Sequence, residues 1–200
     1  MKYLSIVAIS LSVIIFFGCS NTDNTTNDSI TNNKNKTEDI NLVKGKQIVQ
    51  KAQSTLGKNL MKTIQSKGVL GAMDFCSAKA MLLTDSLSKE LNVMIKRVSD
   101  KNRNPQNIAN DIELNYITEA KQLIANGKKP LPHIIDNKNN TISYYPIMTN
   151  KACLKCHGEK NIDIKANVVA KIDSLYPADK AIDYKENELR GIWVLEMTKQ

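Results

Sequence analysis

Cys153-Leu154-Lys155-Cys156-His157 sets the tightest constraint on this chain of 200 residues. Two thiols separated by two residues lie about one helical turn apart. Both can therefore add across neighbouring vinyl groups on one porphyrin edge, and the histidine that follows is aimed at the iron from the proximal side. Cys-x-x-Cys-His is the attachment signature of c-type haem for that reason. A fold that carries it must enclose a large flat group bonded to its own side chains. Two other readings compete. A thioredoxin-like dithiol wants a βαβ context, whereas the approach here is Tyr144-Tyr145-Pro146 and a short loop. A structural zinc site needs four ligands; Cys153, Cys156 and the adjacent His157 are poorly placed to share one tetrahedron, and the sequence holds no second Cys-x-x-Cys.

The N-terminus implies export. Residues 1–18 read as a signal peptide, with Lys2 as the positive start and an apolar run from Leu4 to Phe17 too short for a permanent membrane span. The run ends at Phe17-Gly18-Cys19-Ser20, which resembles a bacterial lipobox, with Phe16 where leucine is usual. Cys19 is then the lipidation site; ordinary cleavage leaving a spare thiol is the alternative. Acyl chains on Cys19 would hold the protein at a membrane surface, in the periplasm or on the outer side of a bacterial membrane. Residues 20–39 carry almost nothing apolar beyond Ile30, so residues 19–40 read as the lipidated cysteine and a disordered tether. Residues 41–200 remain for one domain.

Four cysteines are present: Cys19, Cys76, Cys153 and Cys156. Lipid accounts for one and haem for two, which leaves Cys76 without a role. Net charge is +8 and spread along the chain without a block of like charges, which suits solubility and gives no nucleic-acid footprint. An anionic lipid surface or an acidic redox partner remains open.

Between residues 41 and 103 there is no proline. Leu42, Val43, Gln47, Ile48, Ala52, Leu56, Leu60 and Ile64 recur at three- and four-residue steps and predict a long amphipathic helix, punctuated by Gly68. A second helix follows with Val69, Met73, Cys76, Ala80, Leu83 and Leu87 on one stripe. Val93–Val98 has β character, and residues 103–107 read as loop. A third helix is expected from Ile108 to Ala125, stopping at Asn126-Gly127. His133–Ile135 and Thr141–Met148 read as two strands around a turn rich in asparagine. A short helix over Ile164–Leu175 and a closing core strand over Glu188–Thr198 complete the chain. Helices first and strands later imply an α+β domain with an antiparallel sheet.

A haem with one histidine needs a sixth ligand or keeps an open site. His133 is the other histidine. Met94, Met148 and Met197 are candidates of the ordinary cytochrome kind, against a default role as core filler. Cys76 lies on an apolar helical stripe, where it is either a ligand or a small buried hydrophobe.

The segments Gly71-Ala72-Met73-Asp74-Phe75-Cys76-Ser77, Lys96-Arg97-Val98-Ser99, Arg103-Asn104-Pro105-Gln106-Asn107, Tyr145-Pro146-Ile147, the haem motif with Gly158, and Leu189-Arg190-Gly191-Ile192-Trp193-Val194 occur in this order. Together they resemble the PAS-like monohaem c-type cytochrome family, long catalogued as a domain of unknown function, over residues 41–198. The resemblance implies a PAS-like antiparallel sheet flanked by helices. It also implies one covalent haem c held by His157 on one side and a helical cysteine, here Cys76, on the other. A thiolate opposite histidine donates electron density and stabilises the ferric state, so a low potential is expected.

Only three of the 28 basic residues are arginine: Arg97, Arg103 and Arg190. A planar fork suits bidentate carboxylate binding better than an ammonium does, and haem carries two propionates. Arg97 and Arg103, with Asn104 nearby, are the candidate clamps; surface charge is the alternative. Three function classes follow. A membrane-tethered monohaem electron carrier needs a redox partner and no catalytic constellation. A haem-based redox or ligand sensor would act through a separate partner, since no output domain follows. A peroxidase-like enzyme would need distal acid–base residues that a chain with two histidines does not supply, so no enzyme activity is expected.

Overall fold

The computed structural model describes residues 25–199, with side chains from residue 41 onward. Cys19 and the signal segment therefore lie outside the described residues. The compact unit carrying the features below runs from Lys36 to Gln200.

Among the described residues the elements are five α-helices and four strands. They run in the order α1 (Thr25–Ala78), α2 (Ala80–Leu91), β1 (Met94–Val98), α3 (Asp111–Ala125), β2 (His133–Asp136), β3 (Asn140–Met148), α4 (Lys151–His157), α5 (Ala166–Leu175) and β4 (Leu189–Thr198), with a 3₁₀ turn at Pro105–Asn107. The expected α+β class and antiparallel sheet are found. Residues 25–39, read from composition as tether, continue the backbone of α1; no glycine or proline interrupts residues 25–44 to end a helix there.

The expected punctuation at Gly68 is a kink. Its φ of 69° and ψ of −176° break the helix within α1, a left-handed φ that glycine adopts without steric cost. At Lys79, between α1 and α2, the helical bonds continue: Lys79 N donates to Phe75 O and Leu83 N to Lys79 O. The segment carrying Cys76 is thus the helical piece that follows the kink at Gly68.

The sheet order is β1-β4-β3-β2, antiparallel throughout. The C-terminal strand β4 is central and buried on both faces, which explains its unbroken Ile192-Trp193-Val194-Leu195 run where an alternating pattern would mark one exposed face. Pro146 is tolerated in β3 because β2 reaches only as far as Tyr144, so its missing N–H interrupts no ladder on that side. At Gly191, a Cβ would lie 2.4 Å from the Val98 carbonyl oxygen. Glycine here lets β4 close on β1 beside the register shift opposite Ile147 and Met148.

Alternate side chains of β4 feed two cores. Trp193, Leu195 and Met197 join Ile95 and Tyr145 beneath Ile48, Val49, Ala52 and Leu56 of α1 and Leu87 of α2. On the other face, Ile192 and Val194 join Val98 and Tyr144 against Tyr116, Ile117 and Ala120 of α3. Helix α1 presents Val49 where the three- and four-residue pattern favours Val43, which is exposed. Helix α3 starts at Asp111, three residues after the expected Ile108. The Asn110 side chain accepts from Glu113 N while Glu113 accepts from Asn110 N, a capping box that fixes the first turn. Buried Glu113 also meets Lys96 Nζ at 2.7 Å.

Two glycines of α1 separate packing from helix propensity. A Cβ on Gly45 would sit 2.1 Å from the hydroxyl of buried Tyr145, whereas a Cβ on Gly57 meets nothing within 4 Å. Alanine gains about 0.5–1 kcal/mol over glycine in a helix interior, and forced overpacking costs about 1–3 kcal/mol. Gly57→Ala is therefore expected to raise the urea midpoint of the purified protein and Gly45→Ala to lower it. Equal shifts would refute the close approach of α1 to Tyr145.

Candidate functional site

The site forms where the Cys76 segment, the 99–104 loop, α4 and residues 176–190 converge. Helix α4 exists because Asn150 starts it: its side chain accepts from Ala152 N (2.9 Å) and Cys153 N (3.3 Å), satisfying donors that a seven-residue helix leaves free at its N-terminus. The motif is thereby wound so that Cys153 and Cys156 lie about a turn apart. Cys156 packs against the third core, formed by Ala72 and Met73 of α1 with Ile164, Val168 and Ile172 around α5. Burial, and secondarily the neighbouring Cys76, pushes its thiol up to about 11.

His157 is oriented by backbone. Its Nδ1 donates to the Ala181 carbonyl oxygen at 2.8 Å, since a carbonyl can only accept. That bond fixes the tautomer and leaves Nε2 free as a ligand atom. Burial holds the imidazole well below its ordinary value. Arg190, Arg103 and Arg97 add to the effect, in that order of strength, and the Ala181 bond opposes it. A neutral imidazole is the form that binds a metal. The ring of Tyr184 stands edge-on to His157, with centroids 6.3 Å apart.

Ala181 is held in place by Arg103. This guanidinium is 8% exposed. Its Nη2 donates to Cys156 O (2.7 Å), Asp179 Oδ2 (2.9 Å) and Ala181 O (3.1 Å). Two further bonds close residues 179–184 onto the end of α4: Tyr184 N donates to His157 O and Asp183 N to Gly158 O, both at 2.9 Å. Arg103, one of the expected anion clamps, is thus engaged in orienting the motif. Asn104, expected beside it, caps the 3₁₀ turn by accepting from Gln106 N and donates Nδ2 to Met81 Sδ at 3.1 Å.

Cys76 faces the same space. Burial raises its thiol, and Arg97 and then Arg103 pull it back. The two arginines acting on Cys76 are therefore also among the three acting on His157. Arg97 lies over the Trp193 ring, 5.5 Å from its centroid. The structure brings together Cys76, Cys153, Cys156, His157, Arg97 and Arg103.

The other ligand candidates lie elsewhere. His133 stacks with Tyr116 and Tyr144, at centroid separations of 5.9 and 6.2 Å, on the α3 face of the sheet. It lines a separate cleft of about 270 Å³ with Leu131 and Lys129. Met94 and Met148 are exposed, and Met197 is buried in the core beneath α1. Among the described residues no three His, Cys, Asp or Glu side chains are grouped to hold a metal ion.

Sequence reasoning missed Ala181, Asp179, Tyr184 and Arg190. The first acts through its carbonyl, which has no residue-type signal. Arg190 had one: it is the third arginine in a chain that otherwise uses lysine.

The family designated Tll0287-like (Tll0287) matches residues 24–198. A solved structure, described as the crystal structure of the cyanobacterial heme-protein Tll0287, is similar with a TM-score of 0.60 and 19% identity, over 80% of this chain and 96% of that one. At that identity the likeness is one of fold. No curated protein matches the chain. With the fold, the ordered motifs and the span of the match in agreement, the chain belongs to the Tll0287-like family.

Proposed function

We propose that this protein is an exported, membrane-tethered monohaem c-type cytochrome that transfers electrons. In this reading Cys153 and Cys156 form the thioethers, and His157 and Cys76 are the axial ligands. The observation that carries the reading is the His157 Nδ1–Ala181 bond, which leaves Nε2 of a neutral imidazole free beside the arginines that also act on Cys76. The donor set fits a haem in a further respect. Among the described residues, Arg103 Nε, Arg190 Nε and Trp193 Nε1 are buried donors without a hydrogen-bond partner, and buried donors without an acceptor are costly. A dianionic group in this space supplies acceptors. The solved relative of the same fold is described as a heme-protein, which supports the same reading.

Bound haem would supply a one-electron ferric/ferrous couple. The chain's residues orient and tune it. Ala181 accepts from the imidazole and orients it, Arg103 holds Ala181, and Cys76 would donate electron density to the bound iron and keep its potential low. Export and the lipid on Cys19 rest on the sequence of residues 1–20 and would confine diffusion to a membrane surface, where a redox partner protein docks. A second reading, a redox or small-ligand sensor acting through a separate partner, is favoured by one observation. Cys76 follows the helix kink at Gly68, a point about which its segment can turn to release a ligand.

Optical and electron paramagnetic resonance spectra of the haem-matured protein, oxidised and reduced, test the assignment. A low-spin thiolate signature is expected in the wild type and its loss in Cys76→Ala. Survival of the signature in that variant would refute Cys76 ligation. Cys76→Met is expected to raise the midpoint potential, because a thioether stabilises ferric iron less than a thiolate does. Retention of the thiolate signature on reduction and under carbon monoxide favours the carrier, and its loss the sensor. Asp179→Ala leaves the buried Arg103 guanidinium without its carboxylate. Breaking such a pair costs about 3–5 kcal/mol, read as a lower urea midpoint of the haem-loaded protein; an unchanged midpoint would remove Arg103 from its orienting role.

A further inference from the structure

All three arginines of the chain converge on one site, and their charges do not balance within the protein. Arg103 is neutralised by Asp179, at 2.9 Å with both side chains buried. Among the described residues Arg97 and Arg190 have no carboxylate partner. Arg97 lies against the Trp193 ring. Arg190 lies against the Tyr184 ring, 5.4 Å from its centroid, donates Nη1 to Lys101 O at 3.2 Å, and keeps a buried Nε without a partner. Burial holds both guanidinium groups below their ordinary value. A ring face and one carbonyl do not offset the desolvation of a cation. Two half-buried positive charges therefore remain to be matched.

The haem proposed above supplies that balance. A ferric ion, a doubly deprotonated porphyrin and one thiolate sum to zero charge, so the two propionates are the charges left over. Two unmatched guanidinium groups meet two unmatched carboxylates.

We propose that Arg190, paired with Arg97, binds the haem propionates, while Arg103 is the strut that orients His157. The partners separate the roles. Arg103 Nη2 is committed to three acceptors on the protein, the Asp179 carboxylate among them, whereas Arg190 has only the Lys101 carbonyl on its Nη1; each keeps an unpartnered Nε. Tyr184 positions Arg190 and stands edge-on to His157, so the same ring sets both the imidazole and the second clamp. Tyr184 is also met by Lys101, whose Nζ lies 4.6 Å from the ring centroid and donates to Ile182 O at 2.6 Å. Residues 181–184 and Arg190 thus form one unit around the proximal ligand. The inference rests on the haem reading above.

Resonance Raman spectra of the full-length, haem-matured protein test it, because the propionate bending band reports hydrogen bonds to the carboxylates and not the axial ligands. Arg190→Gln is expected to displace that band and lower the midpoint potential, since a positive charge beside the haem is lost, while the optical signature of the axial ligands is retained. Arg190→Lys keeps the charge without the fork, and should displace the band with a potential close to wild type. A wild-type band position in either haem-loaded variant would overturn the proposal. Failure of both variants to accumulate as folded haem protein would assign Arg190 to holding the fold, and would overturn it as well. A wild-type protein purified without covalent haem would instead refute the underlying reading, a result distinct from all of these.

Discussion

One buried guanidinium ties the site to the fold. Arg103 donates from a single nitrogen to the carbonyl of Cys156, the carboxylate of Asp179 and the carbonyl of Ala181, joining the loop after β1, the motif helix and the 176–187 segment. Its charge is out of water and matched by Asp179, so the arrangement has little freedom to relax. The direction of the His157 ring depends on this, because the acceptor of its Nδ1 proton is one of the groups that Arg103 holds. A helix as short as α4 has no rigidity of its own; its ends are fixed by Asn150 at the start and by residues 181–184 at the finish.

The sheet delivers the remaining parts. Because β4 is central, it carries Arg190 and Trp193 into the interior and passes Trp193 to the face covered by α1 and α2. Strand β1 lies beside it with Arg97 paired to Trp193, and α1 lays Cys76 over the same face. The opposite face, under α3, takes His133. A one-residue change of side in β1 would place Arg97 under α3 and Lys96 beside Cys76, because side chains alternate across a strand. The site is therefore a product of strand register as much as of the haem motif.

Much of the fold was legible because its signals are local. The proline-free helical region, the break at Gly68, the asparagine turn between β2 and β3 and the apolar run of β4 are each carried by neighbours in sequence, and each stands where the pattern places it. The errors are also local. The pattern places the start of α3 at Ile108, but the reciprocal bonds of Asn110 and Glu113 set it at Asp111. Val43 fits the periodicity of α1, yet the close approach at Gly45 turns Val49 inward instead.

Sequence alone determined the chemistry available: two thiols and an imidazole at fixed spacing, a spare thiol on an apolar stripe, and three arginines where lysine is the rule. Those are properties of residue type and short-range periodicity, which the chain carries before it folds. Which histidine serves the site, and what each of the three arginines does there, was decided only by tertiary structure. Residues 76, 97, 103, 157, 181 and 190 meet through strand order and the closing of one segment over α4. The acceptor that orients His157 is a backbone carbonyl that every residue possesses, and only its position makes it specific.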